Sequence, residues 1–369
     1  MPQSIIPLRE LCHPEGSNSP CESPDSDGPS AASDHLQVLA EQTPEKWQQI
    51  LADLLTDPKE LLNFLQLDSA ELNFDPRVID SFPLKVPRPY LNRMEKRNWN
   101  DPLLRQVLPL DRELPIPNDG SKWDPLEENS SNCLPGLLHK YHGRVLLTVA
   151  PHCAIHCRYC FRRHFDYQSN TPGRRSWEKV ITYIRENAEI SEVIYSGGDP
   201  LAANDKQLAW LTSQLASIPH LRTLRIHTRM PIVIPQRVTD ELIAWLTSSR
   251  LKPVVVLHVN HANELDPFVA SSLGKLATNG VKLLNQSVLL AGVNDNLTAL
   301  TRLSETLFEM NVLPYYLHLL DPVSGVLHFD VPDARGIELI AQMRDRLPGY
   351  LVPRLVREHP GAGSKITLA

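Results

Sequence analysis

The sequence predicts an α/β protein in which six βα units form a partial, TIM-like (β/α)6 barrel behind an N-terminal helical appendage. Two observations support this fold class. From Arg144 onward, short β-branched runs alternate with helical patterns. The runs are almost continuously apolar, as strands are when helices cover both faces of a parallel sheet. Because six units are too few for a closed barrel of eight strands, we expect an open one, with its chemistry at the C-terminal ends of the strands.

Each predicted element follows from its residue pattern. The strands are expected at 145–149, 192–195, 223–227, 254–259, 281–290 and 313–319, with a further C-terminal strand at 351–356. The intervening helices are expected at 177–185, 205–218, 240–247, 267–279 and 297–310. Four of these helices follow a residue that can cap a helix, namely Asn204, Thr239, Asp266 and Asn296. The repeating unit is therefore a strand followed by a helix.

The N-terminal part of the chain lacks this alternation. Residues 43–66 predict two helices, the first capped by Thr43 and the second starting at Asp57 with Pro58 in its first turn. Residues 11–35 consist largely of Ser, Pro, Asp and Gly and cannot bury enough surface to offset the entropy of ordering. We therefore divide the chain into a disordered tail at 1–42, a helical region at 43–135, a barrel at 136–350 and a C-terminal strand and loop at 351–369.

Composition excludes several functional classes. The 369 residues carry 37 basic and 43 acidic side chains, and a formal charge of −6 provides no general attraction for nucleic acid. No apolar run approaches the ~18 residues of a membrane helix, and Arg9 and Glu10 interrupt any secretory signal. We therefore expect a cytoplasmic protein that neither spans a membrane nor binds nucleic acid directly. Thiols stay reduced in the cytoplasm, so the six cysteines are better candidates for metal binding than for disulfides, although Cys12 and Cys21 lie in the tail.

Three of the cysteines stand together directly after the first barrel strand, in Cys153-Ala-Ile-His-Cys157-Arg-Tyr-Cys160. Three thiolates on one compact loop leave one iron of a four-iron cluster without a protein ligand, and a small molecule can bind there. The alternative is a zinc site with an added histidine, for which the candidates are His152, His156 and His164. Zinc fingers usually use two separated cysteine pairs, so a single loop after a barrel strand favours the iron–sulfur cluster.

This spacing, with an aromatic residue before the last cysteine, resembles the radical S-adenosylmethionine (SAM) superfamily. The fuller segment Cys157-Arg-Tyr-Cys-Phe-Arg-Arg-His164 resembles the lysine 2,3-aminomutase family within it. The resemblance covers roughly residues 43–369. It implies a 4Fe–4S cluster on Cys153, Cys157 and Cys160, with SAM at the open iron and Tyr159 near the adenine of SAM.

A glycine turn, Ser196-Gly-Gly-Asp199, ends the second predicted strand. Its glycines allow close approach of the backbone, and the carboxylate of Asp199 can hold an ammonium group. A tight turn without a ligand explains the same residues equally well. In the resembled families this loop contacts the amino group of SAM, so the resemblance implies that the SAM-binding residues include Ser196, Gly197, Gly198 and Asp199.

Lys365 ends a glycine-containing loop, Arg357-Glu-His-Pro-Gly-Ala-Gly-Ser-Lys365. Taken alone, a lysine near a chain terminus is a solvated surface residue. The resemblance instead implies that Lys365 carries pyridoxal 5′-phosphate (PLP), because the family binds this cofactor on a lysine after such a turn. An amine suits this role since it forms an exchangeable covalent bond with the aldehyde. The family's basic positions for the phosphate fall on Lys140 and Arg144, which could also be a solvated pair beside a strand.

The resemblance also assigns residues to the two ends of a lysine substrate. Arg162 matches the arginine that binds the α-carboxylate, for which a planar guanidinium is well suited. Asp295 matches one carboxylate that binds the far ammonium group, although a turn aspartate explains this residue equally well. Glu358 stands where the family has a second aspartate. Two carboxylates argue against glutamate as the substrate, because they repel an acidic side chain.

By resemblance, the protein is a SAM- and PLP-dependent isomerase that converts L-α-lysine to β-lysine with an external electron donor. Further motifs resemble the branch of the family that supplies β-lysine to a ligase for modification of bacterial elongation factor P. These motifs are Met94-Glu-Lys, Asp101-Pro-Leu-Leu-Arg-Gln-Val107, Pro135-Gly-Leu-Leu-His-Lys140, His261-Ala-Asn-Glu264, Leu284-Asn-Gln-Ser-Val-Leu-Leu290 and Leu313-Pro-Tyr-Tyr-Leu-His318. A homo-oligomer is left open. The alternatives are an aminomutase for another amino acid and a non-catalytic scaffold stabilised by zinc.

Overall fold

The structure is a computed structural model that describes residues 46–68, 75–167, 169–170 and 172–369. The described residues all belong to one compact unit, which begins at Glu45. The predicted tail, with Cys12 and Cys21, lies outside the described residues, as does the predicted helix cap Thr43.

One ten-stranded sheet runs through the described residues, and its strands are adjacent in chain order. The strands are β1 (Asn132–Leu134), β2 (Leu137–Tyr141), β3 (Arg144–Ala150), β4 (Glu192–Gly197), β5 (Thr223–Thr228), β6 (Lys252–Leu257), β7 (Lys282–Val288), β8 (Leu313–His318), β9 (Arg354–Arg357) and β10 (Ile366–Thr367). Strands β3 to β9 are parallel, whereas β1, β2 and β10 pair antiparallel with their neighbours. The six predicted barrel strands are confirmed as β3 to β8. The predicted C-terminal strand corresponds to β9, which pairs with β8 as a seventh parallel strand.

The helices cover the parallel strands, as the sequence predicts. They are α1 (Trp47–Ala52), α2 (Pro58–Leu65), α3 (Pro76–Ser81), α4 (Arg88–Leu91), α5 (Arg174–Glu186), α6 (Asp205–Ala216), α7 (Met230–Val233), α8 (Asp240–Thr247), α9 (Pro267–Thr278), α10 (Leu297–Glu309) and α11 (Asp333–Arg344). The side chains of the four predicted caps accept hydrogen bonds from the first turns of α6, α8, α9 and α10. Each cap satisfies a backbone donor that has no partner within its helix.

The N-terminal region contributes only short helices, of four to eight residues in α1 to α4. Asp57 caps α2 as predicted, and its side chain accepts a hydrogen bond from the backbone of Lys59. Prolines stand in the first turn of α2, α3 and α4, where a missing backbone donor costs nothing. None of the helices in the described residues combines the length and apolar composition that a membrane crossing requires.

The main core lies between the sheet and its helices. Trp177 and Ile184 of α5 are buried against strand residues such as Leu147 and Val193. A second buried cluster joins α10 and α11 to β8 and β9, with Leu339 and other aliphatic side chains at its centre. The apolar strands can therefore be covered on both faces, which is the arrangement that their composition predicts.

The two ends of the sheet approach each other without pairing. Within the described residues, no strand pairing joins β1 to β10. Instead, the hydroxyl of Tyr141 on β2 donates a hydrogen bond of 3.0 Å to Glu358, which directly follows β9. The amine of Lys140 lies 3.9 Å from the same carboxylate. The sheet is therefore rolled into an open barrel, as predicted, and side chains cross its gap.

Candidate active site

The cysteine loop follows β3 and is attached to the N-terminal region by its backbone. The backbone N–H of Arg158 donates to the carbonyl of Gln106 at 2.9 Å, and that of His156 donates to Lys85 at 3.1 Å. The side chain of Arg158 is fully buried and pairs with Glu113. These contacts fix the loop that carries Cys153, Cys157 and Cys160, three partly buried free thiols.

The three thiols share one site. Burial raises the pKa of Cys153 well above its usual range, and the nearby thiols Cys160 and Cys157 add to the shift. Burial also raises the pKa of Cys160 to about 11, and Cys157 again adds to the shift. Neighbouring thiols raise each other's pKa because two thiolates repel, so a cation is needed before all of them can lose their protons. The iron ions of a cluster supply this positive charge. The loop therefore fits a cluster that binds three protein thiolates.

The zinc alternative requires a different geometry. In the part of the chain that the structure describes, no three His, Cys, Asp or Glu side chains converge as the ligands of a single ion. The cysteines of a four-iron cluster need not converge on one point, because each binds a different iron. Two of the three candidate histidines contact backbone carbonyls, His156 at Pro83 and His164 at Ser324.

Arg229, just beyond β5, lies against the cysteine loop. One terminal nitrogen is 2.7 Å from the sulfur of Cys157 and donates to the hydroxyl of Tyr159 at 2.9 Å. The other donates to Glu264 at 2.8 Å and to Gln106 at 2.7 Å. No sequence motif pointed to Arg229. Glu264 and Gln106 lie within the motifs that carried the resemblance, but without an assigned role.

Tyr159 is more enclosed than the sequence suggested. Its side chain is buried in an apolar cluster that includes Leu290 and Phe329. Its hydroxyl also accepts a hydrogen bond of 2.7 Å from Asn260 and lies 2.8 Å from His258. The tyrosine therefore links the cysteine loop to the ends of the neighbouring strands, and its proximity to adenine stays a prediction.

The glycine turn after β4 lies against the start of the cysteine loop. A Cβ atom added at Gly197, whose φ is +119°, would lie 2.6 Å from the carbonyl oxygen of Ala150, and one at Gly198 would lie 2.5 Å from that of His152. The backbone N–H groups of Gly198 and Asp199 donate to those same carbonyls at 2.9 Å. The glycines are therefore required for close packing of the two loops.

Replacing Gly198 with alanine should lower the free energy of unfolding by roughly 1–3 kcal/mol, because the new methyl group meets rigid backbone. Urea unfolding followed by circular dichroism measures this loss. Gly274→Ala is the matched control, since Gly274 lies in α9 with open space around it, and this change should stabilise the protein by up to about 1 kcal/mol. Equal stability of Gly198→Ala and the wild type would contradict the close packing.

Asp199 is buried, and its carboxylate already has four donors. They are the hydroxyl of Thr228 at 2.6 Å and the backbone N–H groups of Leu201 at 3.1 Å, Arg229 at 2.7 Å and Met230 at 3.1 Å. The carboxylate joins the ends of β4 and β5, which sequence reasoning could not anticipate. The structure therefore supports a positioning role, whereas contact of Asp199 with the amino group of SAM stays a prediction.

Lys365 lies in the loop between β9 and β10 and pairs with Glu358. Its side chain is only 21% exposed, unlike that of a typical surface lysine. Burial lowers the pKa values of His227 on β5 and His318 on β8, and the charge of Lys365 contributes to both shifts. The lysine therefore faces the C-terminal mouth of the barrel.

The surroundings of Lys365 fit a polar cofactor. The Nε2 atoms of His227 and His318 are buried and have no hydrogen-bond partner among the described residues. Buried polar atoms without partners are costly, and a polar ligand at the mouth would satisfy them. The amine, the two imidazoles and the nearby cations are compatible with PLP.

Five side chains of alternating charge connect the cysteine loop to Lys365, and we call them the charge ladder. Arg162 pairs with Glu128 through two hydrogen bonds of 2.6 and 2.8 Å. Glu128 lies 3.5 Å from Lys140, which lies 3.9 Å from Glu358, the partner of Lys365. Burial alone would raise the pKa of Glu128, but the charge of Arg162 holds it below its usual range. Glu128, which joins Arg162 to Lys140 in the ladder, was missed by sequence reasoning.

The predicted phosphate-binding residues occupy different positions relative to the ladder. Lys140 is part of it and also donates a hydrogen bond of 3.1 Å to the carbonyl of Leu126. Arg144, at the start of β3, instead stacks on the ring of Tyr141, with its guanidinium carbon 4.6 Å from the ring centre. The hydroxyl of that tyrosine contacts Glu358, so Arg144 flanks the ladder.

Asp295 follows β7, and its contact with the ammonium group of lysine stays a prediction. A further carboxylate, Asp321, follows β8 and interacts electrostatically with Glu358 and Lys365. Burial raises the pKa of Asp321 to about 7, the charge of Glu358 adds to the shift, and Lys365 opposes it. Its position directly after a predicted barrel strand could have identified it.

Comparison with known proteins agrees with this site. Residues 147–295 match the radical SAM superfamily. The chain is 48% identical over 335 residues to an L-lysine 2,3-aminomutase of Escherichia coli strain K12, covering 90% of this chain and 97% of that protein. It is 46% identical to one of Haemophilus influenzae, covering 88% and 96%, and 36% identical to one of Methanococcus maripaludis, covering 87% and 74%. The chain therefore belongs to the lysine 2,3-aminomutase family of radical SAM isomerases, whose cofactors are a 4Fe–4S cluster, SAM and PLP.

Proposed function

We propose that this protein converts L-α-lysine to β-lysine, with PLP held on Lys365. The observation that carries the proposal is the charge ladder between the cysteine loop and Lys365. Lysine has an anionic carboxylate at one end and a cationic ammonium group at the other. The mouth of the barrel offers Arg162 for the carboxylate, and Glu358 and Asp321 for the ammonium group.

The residues of this chain would bind and orient the reactants. When bound, the cluster and SAM supply a radical that removes hydrogen from the β-carbon of lysine, while PLP supplies the group that carries the migrating nitrogen. Cys153, Cys157 and Cys160 would each hold one iron. Lys365 would anchor PLP, and Lys140 and Arg144 would neutralise its phosphate. Positioning is therefore the main contribution of the protein.

The alternatives are less compatible with the site. An aminomutase for glutamate would place an acidic side chain against Glu358 and Asp321, and like charges repel strongly in a partly buried site. A non-catalytic zinc scaffold does not explain why Lys365 faces the mouth, nor the family to which the chain belongs. Lysine remains the amino acid that best matches the charges.

We further propose that the product is delivered to a ligase that modifies elongation factor P, and that the reaction takes place in the cytoplasm with an external electron donor. The motifs between Met94 and His318 that resemble this branch of the family support the proposal. Incubating the active enzyme with lysine, the ligase and elongation factor P should increase the mass of the factor by one β-lysyl group. If free β-lysine forms but the mass of elongation factor P does not change, the delivery step is refuted and the aminomutase reaction is not.

The reaction can be tested with purified protein. After anaerobic reconstitution with iron, sulfide and PLP, the protein is incubated with SAM, dithionite and L-lysine, and the products are identified by mass spectrometry. We expect both 5′-deoxyadenosine and β-lysine. Formation of 5′-deoxyadenosine without β-lysine would refute lysine as the substrate. The absence of both products would refute the proposed reaction.

The binding of lysine should depend on the charge of Asp321. Above pH 7 its carboxylate is charged and attracts the ammonium group, whereas below pH 7 it is protonated and the attraction is lost. The KM for lysine should therefore rise as the pH falls through about 7. At pH 8, Asp321→Asn should raise KM on the order of tenfold, the loss expected for one charged hydrogen bond, and should flatten the pH dependence.

Asp295→Asn is the matched comparison for this measurement, because it removes the same charge at the residue that the sequence pairs with Glu358. A larger rise in KM for Asp321→Asn would support the structural assignment. A larger rise for Asp295→Asn would support the sequence assignment and contradict ours.

A further inference from the structure

Glu128 forms ion pairs with Arg162 and Lys140, the two cations that the proposed function assigns to the substrate carboxylate and the phosphate of PLP. The inference therefore rests on that proposed function. Its two carboxylate oxygens accept from Nε and Nη2 of Arg162, at 2.6 and 2.8 Å. Its Oε1 atom also lies 3.5 Å from the amine of Lys140. The carboxylate is buried, and it comes from the N-terminal region of the chain. An internal anion therefore stands where the substrate carboxylate is expected.

The donors of Arg162 are almost fully used. A guanidinium has five N–H groups, and Glu128 takes two of them. The terminal nitrogen Nη1 donates to the hydroxyl of Ser196 at 3.0 Å and to the carbonyl of Gly197 at 3.4 Å. One N–H group is left, whereas a carboxylate bound in the fork of the guanidinium needs two. Substrate can bind this way only if Arg162 releases a partner.

Glu128 is the partner that can move. Ser196 and Gly197 end a central parallel strand, and Gly197 is packed against the backbone of Ala150. Glu128 begins a short 3₁₀ turn, Glu128–Ser131, instead. The residue before it, Glu127, has a φ of +50°, a left-handed conformation that costs about 1–3 kcal/mol for a residue other than glycine. The strained backbone is therefore directly beside the carboxylate that must leave.

We propose that Glu128 is a placeholder for the substrate carboxylate. Without substrate it neutralises Arg162, which would otherwise be a buried charge without an anionic partner in the described residues, and it shares Lys140 with Glu358. The α-carboxylate of lysine replaces it on Arg162, so that one ion pair is exchanged for another. An amine without a carboxylate cannot make this exchange. Glu128 therefore weakens the binding of lysine itself and selects for ligands that carry a carboxylate.

The test measures binding without turnover. The protein is loaded with PLP but not with SAM, and L-lysine is titrated by calorimetry. Glu128→Gln removes the charge while keeping the shape, and it should tighten lysine binding by about three- to tenfold, because a neutral amide competes less well for the guanidinium. The same variant should have a lower melting temperature without lysine, because Arg162 loses its counter-charge and Lys140 keeps only that of Glu358.

Three controls make the result specific. Glu127→Gln removes the same charge from the exposed neighbouring residue and should leave lysine affinity unchanged. Cadaverine, which is lysine without its carboxylate, should bind the wild type and Glu128→Gln equally. Glu128→Asp keeps the charge with a shorter reach, so its affinity for lysine should fall between those of the wild type and Glu128→Gln. This variant also keeps the test available if the glutamine variant does not fold.

The outcomes separate this inference from the proposed function. Weaker or unchanged lysine binding by Glu128→Gln would overturn the placeholder and leave Glu128 as a residue that only orients Arg162. If the wild-type protein binds no lysine at all, the proposed function fails instead. In that case the melting temperature of Glu128→Gln would still report on the ion pair with Arg162.

Discussion

Replacing Cys157 with alanine should abolish the formation of both 5′-deoxyadenosine and β-lysine. Removing a residue that only hydrogen-bonds to a metal ligand lowers metal affinity or activity about 10–100-fold. Removing the ligand itself should therefore lower activity by at least about 10³-fold. The replacement also removes the contact between the sulfur of Cys157 and the guanidinium of Arg229. Iron and sulfide content, visible absorbance and product formation together measure the effect.

Cys133→Ala is the control for this prediction. Cys133 is exposed on β1, outside the cysteine loop. Its replacement should leave both iron content and product formation at wild-type levels. A Cys157→Ala protein that keeps a full complement of iron and its activity would show that the cluster, if present, is bound elsewhere.

Lys365→Ala should remove the covalent attachment of PLP and lower β-lysine formation on the order of 10³-fold or more, as expected when one member of a catalytic unit is lost. The fold should survive, because Glu358 keeps its contacts with Lys140 and Tyr141. Borohydride reduction followed by peptide mass spectrometry locates the attached cofactor. The wild type should carry it on Lys365, and the variant should not carry it.

Lys365→Arg separates the two roles that this residue could have. Arginine keeps the positive charge beside Glu358 but cannot form the exchangeable bond with an aldehyde. If Lys365 anchors PLP, the arginine variant should be as inactive as the alanine variant. An active arginine variant would show that only the charge of Lys365 matters, and that the cofactor is held by another group.

The elements that repeat along the chain could be predicted from the sequence. The apolar strands and the capped helices follow from local periodicity, and the cysteine loop follows from a spacing of eight residues. These signals need no knowledge of distant parts of the chain. The predictions for β3 to β8 and for the caps of α6, α8, α9 and α10 succeeded for this reason.

The contacts across the mouth could not be predicted in the same way. Tyr141 and Glu358 are 217 positions apart, and they meet only because the sheet rolls until its ends face each other. The pairing of Arg162 with Glu128 depends on how the N-terminal region packs over the barrel. The same is true of Asp321, whose place beside Glu358 is set by the adjacent strands β8 and β9.

The attachment of the cysteine loop has a consequence for how the cluster is assembled. Hydrogen bonds from Arg158 to Gln106 and from His156 to Lys85 hold the loop through contacts that the protein itself supplies. Fixing the backbone of one residue costs about 1–2 kcal/mol, and we expect these contacts to offset part of that entropy during folding. A classical zinc finger behaves in the opposite way, because it is unfolded until its metal binds. We therefore expect the loop to need little further ordering when it binds the cluster, so that metal binding and folding are separate steps in this protein.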